Sequence, residues 1–150
     1  MTIYCKPIKG YNSFSTLFKE GMKVKTYNIL CSVKFNDNVV EKETHPIYYG
    51  VTISKRNAKK AILRNRVKRL LRESFRTLVK EHNNKQLGMI DSIVFAWQIA
   101  PKHKNDIALN DVLPAVQKVL AKALAIHTNK KKITNEAQLQ NNIHKSNKII

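Results

Sequence analysis

What this chain has least of is acid. Asp and Glu number 10 against 28 Lys and Arg in 150 residues, leaving a formal charge of +18. A deficit of that size excludes a surface neutralised by its own ion pairs. It points to a polyanionic partner, either nucleic acid or an anionic membrane. Glycine is nearly as scarce. Four Gly in the whole chain argue against a Gly-rich loop of the kind that cradles phosphate, and no such motif is present. Cysteine is limited to Cys5 and Cys31, which have no metal-ligand spacing. In a chain with no visible export signal the two are expected to be reduced thiols. No apolar run approaches the roughly 20 residues of a membrane span. The opening segment MTIYCKPIKG lacks the apolar stretch of a secretory signal, so the chain is expected in the cytoplasm. The apolar fraction of 43% suffices for a compact core, and the length suggests one domain with a tail.

Groups able to do chemistry are few and scattered. His45, His82, His103, His127 and His144 stand apart from Cys, Asp and Glu at any ligand spacing. Asp37, Asp91, Asp106 and Asp111 are isolated, so a two-metal site on the protein is not expected. No catalytic residue and no protein-bound metal is assigned.

What the chain does have is concentrated between Ser54 and Phe75, SKRNAKKAILRNRVKRLLRESF. Lys55, Arg56, Lys59, Lys60, Arg64, Arg66, Lys68, Arg69 and Arg72 recur through it, interrupted by one acid, Glu73. Threaded among them are Leu63, Val67, Leu70, Leu71, Phe75 and then Leu78, at the three- and four-residue spacing of one helix face. At about 100° per residue, Leu63, Leu70, Leu71, Ser74 and Leu78 fall within about 60° of Val67, with Phe75 just outside. Asn65, Lys68, Arg69, Arg72 and Arg76 take the opposite side, and Arg64 and Arg66 the two margins. The pattern predicts one helix, about 57–80, capped by Asn57. Like charges four residues apart cost a few tenths of a kcal/mol per pair, and the chain has few acids to offset that. A phosphate backbone would, since the planar guanidinium meets phosphate bidentately.

Along the rest of the chain, residues 1–11 read as irregular, with Pro7 and Gly10 discouraging a regular element. Residues 12–20 read as a short helix capped by Ser13, carrying Phe14, Leu17 and Phe18 on one side and stopped by Gly21. Residues 23–35 read as one strand, Asn36-Asp37-Asn38 as a turn, and Val39–His45 as a loop or poor edge strand. Pro46 bars a ladder bond. Residues 47–54 read as a strand in which Gly50 permits a close approach or a bulge. The run Ile93–Ala96 suits a strand buried on both faces. A last helix is expected from a cap at Asn110 or Asp111, with Pro114 in its first turn, to about His127. Residues 128–150, rich in Asn, Lys and Gln, read as a tail that is disordered or at best partly helical. The domain proper is 12–127. The order α-β-β-α-β-α gives an α/β sandwich, a small mixed sheet packed with helices.

The run Arg64-Asn65-Arg66-Val67-Lys68-Arg69-Leu70-Leu71-Arg72-Glu73-Ser74-Phe75 resembles the signature R-N-R-x-K-R-x-x-R-E-x-F of the bacterial ribonuclease P protein subunit. Gly50–Arg56 resembles that family's strand leading into the helix, and Phe14–Phe18 followed by Gly21 its first helix. The resemblance covers about 12–127. It implies a sandwich like one domain of a ribosomal protein, with a left-handed β-α-β crossover through the basic helix, a hand opposite to the usual one. It implies a ribonucleoprotein endonuclease that removes the 5′ leader of precursor tRNA. The catalytic RNA would hold the Mg²⁺ ions and carry the chemistry, with none bound by the protein alone. Partners would be that RNA and precursor tRNA, with no membrane and no protein partner required. Lys55, Arg56, Lys59, Lys60, Arg64, Asn65, Arg66, Lys68, Arg69 and Arg72 are then expected to face RNA, and Phe14, Phe18 and Tyr27 to line the leader cleft. The family's basic residue after the last strand is replaced here by Trp97 and Gln98, whose roles the sequence leaves open. Two rival readings are a ribosomal protein or RNA chaperone, which would be indifferent to a leader, and a cationic helix lying on a membrane.

Overall fold

The computed structural model describes residues 2–36, 44–82 and 85–148. In chain order the elements are β1 (Thr2–Pro7), α1 (Tyr11–Glu20), β2 (Met22–Lys25), β3 (Ile29–Phe35), β4 (Thr44–Ile53), α2 (Ala61–Glu81), the single turn α3 (Lys85–Gly88), β5 (Ile90–Trp97) and α4 (Leu109–Lys148). A short 3₁₀ turn, Lys104–Asp106, precedes α4. The five strands form one mixed sheet in the order β1-β4-β5-β3-β2. β1, β4 and β5 run parallel, β3 pairs antiparallel with β5, and β2 pairs antiparallel with β3. The α/β sandwich expected from the element order is what forms. α2 joins the neighbouring parallel strands β4 and β5.

Alternation along the strands assigns the two faces. Tyr49 of β4 and Phe95 of β5 both touch Phe75 of α2, with ring centroids 5.5 and 5.2 Å away. Phe35 of β3 stacks on His127 of α4 at 3.8 Å. The odd-numbered residues of these strands therefore face α2 and α4 and make the core, among them Ile29, Cys31, Val33, Ile47, Ile53 and Ile93. Even-numbered residues face α1, a helix of only 10 residues that leaves much of this side of the sheet open. The central strand β5 is buried from Ile93 to Trp97, as its continuous apolar run implied.

α2 buries the stripe read from its spacing. Leu63, Val67, Leu70, Leu71, Ser74, Phe75 and Leu78 are all inside, joined by Val79. Ser74 is tolerated there because its hydroxyl donates to the Leu70 carbonyl at 2.7 Å. The helix starts at Ala61, four residues later than expected, and Asn57 is not its cap. Ser54 takes over that segment: its carbonyl accepts from the Asn57 and Ala58 N–H groups, and its hydroxyl also accepts from Asn57. The resulting turn buries Ala58 against the core before the helix begins.

Four further expectations are corrected. Residues 2–7 are a strand rather than irregular chain: β1 pairs with β4 from Thr2↔Thr44 to Pro7↔Tyr49 and occupies an edge, where a terminal proline is tolerated. The stretch 23–35 is two strands, because Thr26 turns the chain, its N–H donating to the Ile29 carbonyl at 2.9 Å. β4 begins at Thr44 and passes through Pro46. β5 pairs only with Tyr48–Ile53, so Pro46 has a strand neighbour on one side only. The expected turn at 37–38 and the residues up to 43 lie outside the described residues.

The last correction is α4, which starts at Leu109 and runs through Lys148 as one 40-residue helix instead of ending near His127. Asp111 reaches back to accept from the Ala108 N–H at 2.9 Å, serving the helix start from inside the first turn. Pro114 stands inside the helix rather than in its first turn. Beyond Ile126 the sequence holds no Gly or Pro to stop the helix before Lys148.

Cys31 is buried and its thiol is pushed up to about 12 by burial. The half-buried Cys5 is pushed up to about 11 by burial, partly countered by the Arg76 charge. Three strand intervals, about 14 Å, separate β1 from β3 and keep the two thiols from pairing.

Candidate nucleic-acid interface

The apolar stripe of α2 is used up in the core, so its remaining circumference faces outward. Asn65, Arg69, Arg72 and Arg76 are exposed and Lys68 is half-buried. Among the described residues no carboxylate pairs with Lys68, Arg69 or Arg72. Lys55, Arg56, Lys59 and Lys60, in the segment between β4 and α2, are exposed as well and extend the cationic surface past the helix start.

The two marginal arginines behave differently. One guanidinium nitrogen of Arg64 donates to the carbonyls of Ala58 and Lys59, at 2.9 and 2.8 Å. Arg64 thus holds the basic segment 55–60 against the helix, while its other N–H groups stay available. Arg66 Nε donates to the Ile107 carbonyl at 3.1 Å and ties α2 to the start of α4. Both stand at the margins of the apolar stripe and both are half-buried. Arg76 leans across Tyr49, donating to its hydroxyl at 2.8 Å with the guanidinium 5.8 Å from the ring centre.

On the other face of the sheet, α1 crosses the strands. Phe14 lies over β4, where a Cβ on Gly50 would come within 2.8 Å of its ring. Three residues on, the Leu17 carbonyl accepts from the buried Ser32 hydroxyl of β3 at 2.7 Å. Gly21 ends the helix with an extended backbone, φ −66°, not a left-handed one. Its glycine is required because a Cβ would stand 2.3 Å from the Ser32 hydroxyl. Gly50 likewise serves close approach, one of the two roles its sequence position allowed. Gly50→Ala should lower stability by about 1–3 kcal/mol through crowding of Phe14. In a Phe14→Ala background most of that loss should vanish, a coupling measurable by urea denaturation of the four variants.

Lying across the strands, α1 divides the open face in two. On one side, Ser13, Thr16 and Glu20 line a cavity of about 450 Å³ with Ser92 and Lys34, and an adjoining cavity of about 400 Å³ shares Ser13 and Ser92 and takes in Tyr48, Lys6 and Lys9. Phe14 and Phe18, with near-parallel rings 6.5 Å apart, occupy the opposite flank of the helix. That flank looks toward the next row of the sheet, Thr52, Ala96 and Leu30, which are strand partners. This is the end where β4 runs out into the basic segment 55–60.

The sequence reading missed Lys23. Its Nζ sits 5.5 Å from the Phe18 ring centre and donates to the Phe18 and Gly21 carbonyls and to Ser32. It thereby places a cation against the aromatic flank. The register Lys23↔Ser32 puts it there, and that register is invisible while β2 and β3 are read as one strand. Tyr27 is 86% exposed in the turn between β2 and β3, at the same end of the sheet as Ile53 and Trp97, and outside the Phe14–Phe18 stack. Trp97 is 4% exposed and belongs to the core, so it packs rather than stacks on a base. Gln98 donates from its side chain to the Ala96 carbonyl at 3.1 Å. No group of three His, Cys, Asp or Glu able to hold a metal exists among the described residues. No helix among them is long and apolar enough to cross a membrane.

Fold and surface define a class: a small, strongly basic α/β sandwich with a cationic helix turned outward and a pair of stacked Phe on the helix across the sheet. Residues 5–124 match the family model of ribonuclease P. The chain belongs to the ribonuclease P protein family, and so to a tRNA-processing ribonucleoprotein in which the protein works with an RNA subunit. It is similar to the ribonuclease P protein component of Idiomarina loihiensis, 40% identical over 73 residues, 49% of this chain and 54% of that one. To the component from Rickettsia bellii it is 29% identical over 89 residues, 59% and 74% of the two chains. Its fold is similar to the solved RNase P proteins of Staphylococcus aureus and Thermotoga maritima. Their TM-scores are 0.56 and 0.55 at 22% and 20% identity, covering 78% of this chain and 94% and 96% of theirs.

Proposed function

We propose that this chain binds the catalytic RNA of ribonuclease P through α2 and the segment 55–60. It also holds the single-stranded 5′ leader of precursor tRNA along the Phe14–Phe18 flank of α1, and assists Mg²⁺-dependent removal of that leader. The observation that carries the reading is α2 itself. Every apolar residue of its stripe is buried, while Lys68, Arg69 and Arg72 meet no carboxylate among the described residues. A polyanion is the partner that offsets such a face.

Each element has a separate task. Lys68, Arg69 and Arg72 meet phosphates, and Asn65 beside them offers both a donor and an acceptor. Arg64 presents the lysines of 55–60, and Arg66 fixes the helix relative to α4. Phe14 and Phe18 give unpaired bases a surface on which to stack, with Lys23 and the basic segment nearby for their phosphates. Tyr27 stands at the same end, free to take a further base. Among the described residues no three His, Cys, Asp or Glu come together to hold a metal ion, which supports a reading in which the RNA holds the Mg²⁺ and carries the chemistry. The protein's part is to position the leader and lower phosphate repulsion. Burial of the apolar face of α2 also removes the surface a membrane-lying helix would need.

The test compares binding of tRNA with and without a 5′ extension to the protein–RNA complex. The extension should tighten binding, and Phe14→Ala should erase about 1–3 kcal/mol of that gain while leaving tRNA without a leader unaffected. Indifference to the extension would favour a general RNA-binding role instead.

A further inference from the structure

We propose that the part of α4 beyond His127 is a second RNA-binding element, an arm that contacts the catalytic RNA away from the leader; this rests on the reading of the chain as the RNA-binding subunit. Three observations carry it. First, the family match ends at residue 124, yet α4 continues without a break to Lys148. The part beyond His127, residues 128–148, extends the rod by about 30 Å. Second, the arm does not pack on the domain: every residue from Thr128 to Ile143 is exposed. A helix with no apolar seam against its own core gains little from tertiary packing, so its partner lies outside the chain. Third, Lys130, Lys131 and Lys132 follow one another there, against a single acid, Glu136, in the exposed stretch. At about 100° per residue their side chains leave the axis in three directions, spanning more than half its circumference. Such a rod suits a crevice with phosphates on more than one side, as in a folded RNA, better than a flat surface or one extended strand.

The position of the arm decides what it does. Arg66, in the first two turns of α2, bonds to Ile107 just before α4 begins. His127, near the end of the packed part of α4, stacks on Phe35, the partner of Ile90 at the start of β5. So α2 and α4 start at the end of the sheet toward which the Phe14–Phe18 flank looks, and the arm leaves from the opposite end. It lengthens the cationic footprint without touching the leader. It therefore contributes to affinity for the catalytic RNA and not to the cleavage step.

The experiment uses the full chain carrying Lys130→Gln, Lys131→Gln and Lys132→Gln, with helix content checked by circular dichroism. Binding to the catalytic RNA is titrated between about 50 and 300 mM salt. The salt slope should fall by about 2 to 3, with affinity roughly tenfold weaker. Single-turnover leader release at saturating protein should stay within about twofold of the parent, and preference for 5′-extended tRNA should not change. Unchanged slope and affinity would overturn the inference while leaving the proposed function standing. A lost preference for the leader would also overturn it, since the arm would then belong to the leader site. A self-association through Ile133, Leu139 and Ile143 that persists in the variant at unaltered RNA affinity would count the same way. A parent chain with no salt-dependent binding to the catalytic RNA would sink the underlying reading instead.

Discussion

Changing Lys68, Arg69 and Arg72 together to Gln is expected to weaken binding to the catalytic RNA by about a hundredfold near physiological salt, at roughly 1 kcal/mol per lost phosphate contact. The salt slope of the association should fall by about 2 to 3, since each lost contact removes about 0.7 to 0.9. The fold should hold, because Arg69 and Arg72 are exposed and Lys68 is only half-buried. Its thermal midpoint should stay level or rise slightly, as neighbouring like charges on α2 are relieved. Fluorescence titration across salt concentrations, with circular dichroism as control, checks both halves. A triple variant that binds with the parent's slope would mean that this face of α2 is not the contact surface.

The second large effect is on stability. Phe75 is fully buried between Tyr49 of β4 and Phe95 of β5, so it links the basic helix to the two strands that flank it in sequence. Phe75→Ala should cost about 3–5 kcal/mol through lost apolar burial and the cavity left behind. That is a large share of the stability typical of a domain this size. Urea denaturation should show an earlier midpoint, and RNA binding should fail along with the fold rather than through any direct contact. Comparison with the Lys68, Arg69, Arg72 variant separates the two faces of one helix: one set of residues changes affinity at constant stability, the other changes stability first.

Much of this was legible in residue spacing, and the reasons differ by element. The buried stripe of α2, Val79 apart, could be named residue by residue because a 3.6-residue period leaves little choice when most other positions are charged. The start of the helix could not, because it is set by Ser54 hydrogen bonds that compete with a cap at Asn57. β5 announced itself as an unbroken apolar run. β1 did not: its partner β4 lies some 40 residues away, and an edge strand with three of six residues polar or proline has no strong period of its own. The turn at Tyr27 and Asn28 contains neither Gly nor Pro, so β2 and β3 merged into one expected strand, and Lys23 was lost from the candidate site with them. The cationic residues between 55 and 72 come together on one side of the molecule, exposed or half-buried, as their spacing implied. That Arg64 is partly engaged by the carbonyls of Ala58 and Lys59 depends on the turn set by Ser54, and that Arg66 is held by the Ile107 carbonyl depends on a loop far along the chain. The twelve-residue signature and the two Phe of α1 tied these pieces to a family that composition alone could not name.

The account stands most directly on reconstitution: precursor tRNA, the catalytic RNA and this protein together at low Mg²⁺, scored by release of the 5′ leader fragment. RNA alone should release little under those conditions. Adding the chain should restore release, and the Lys68, Arg69, Arg72 variant at the same concentration should not. No gain from the parent protein, or an equal gain from the variant, would contradict it.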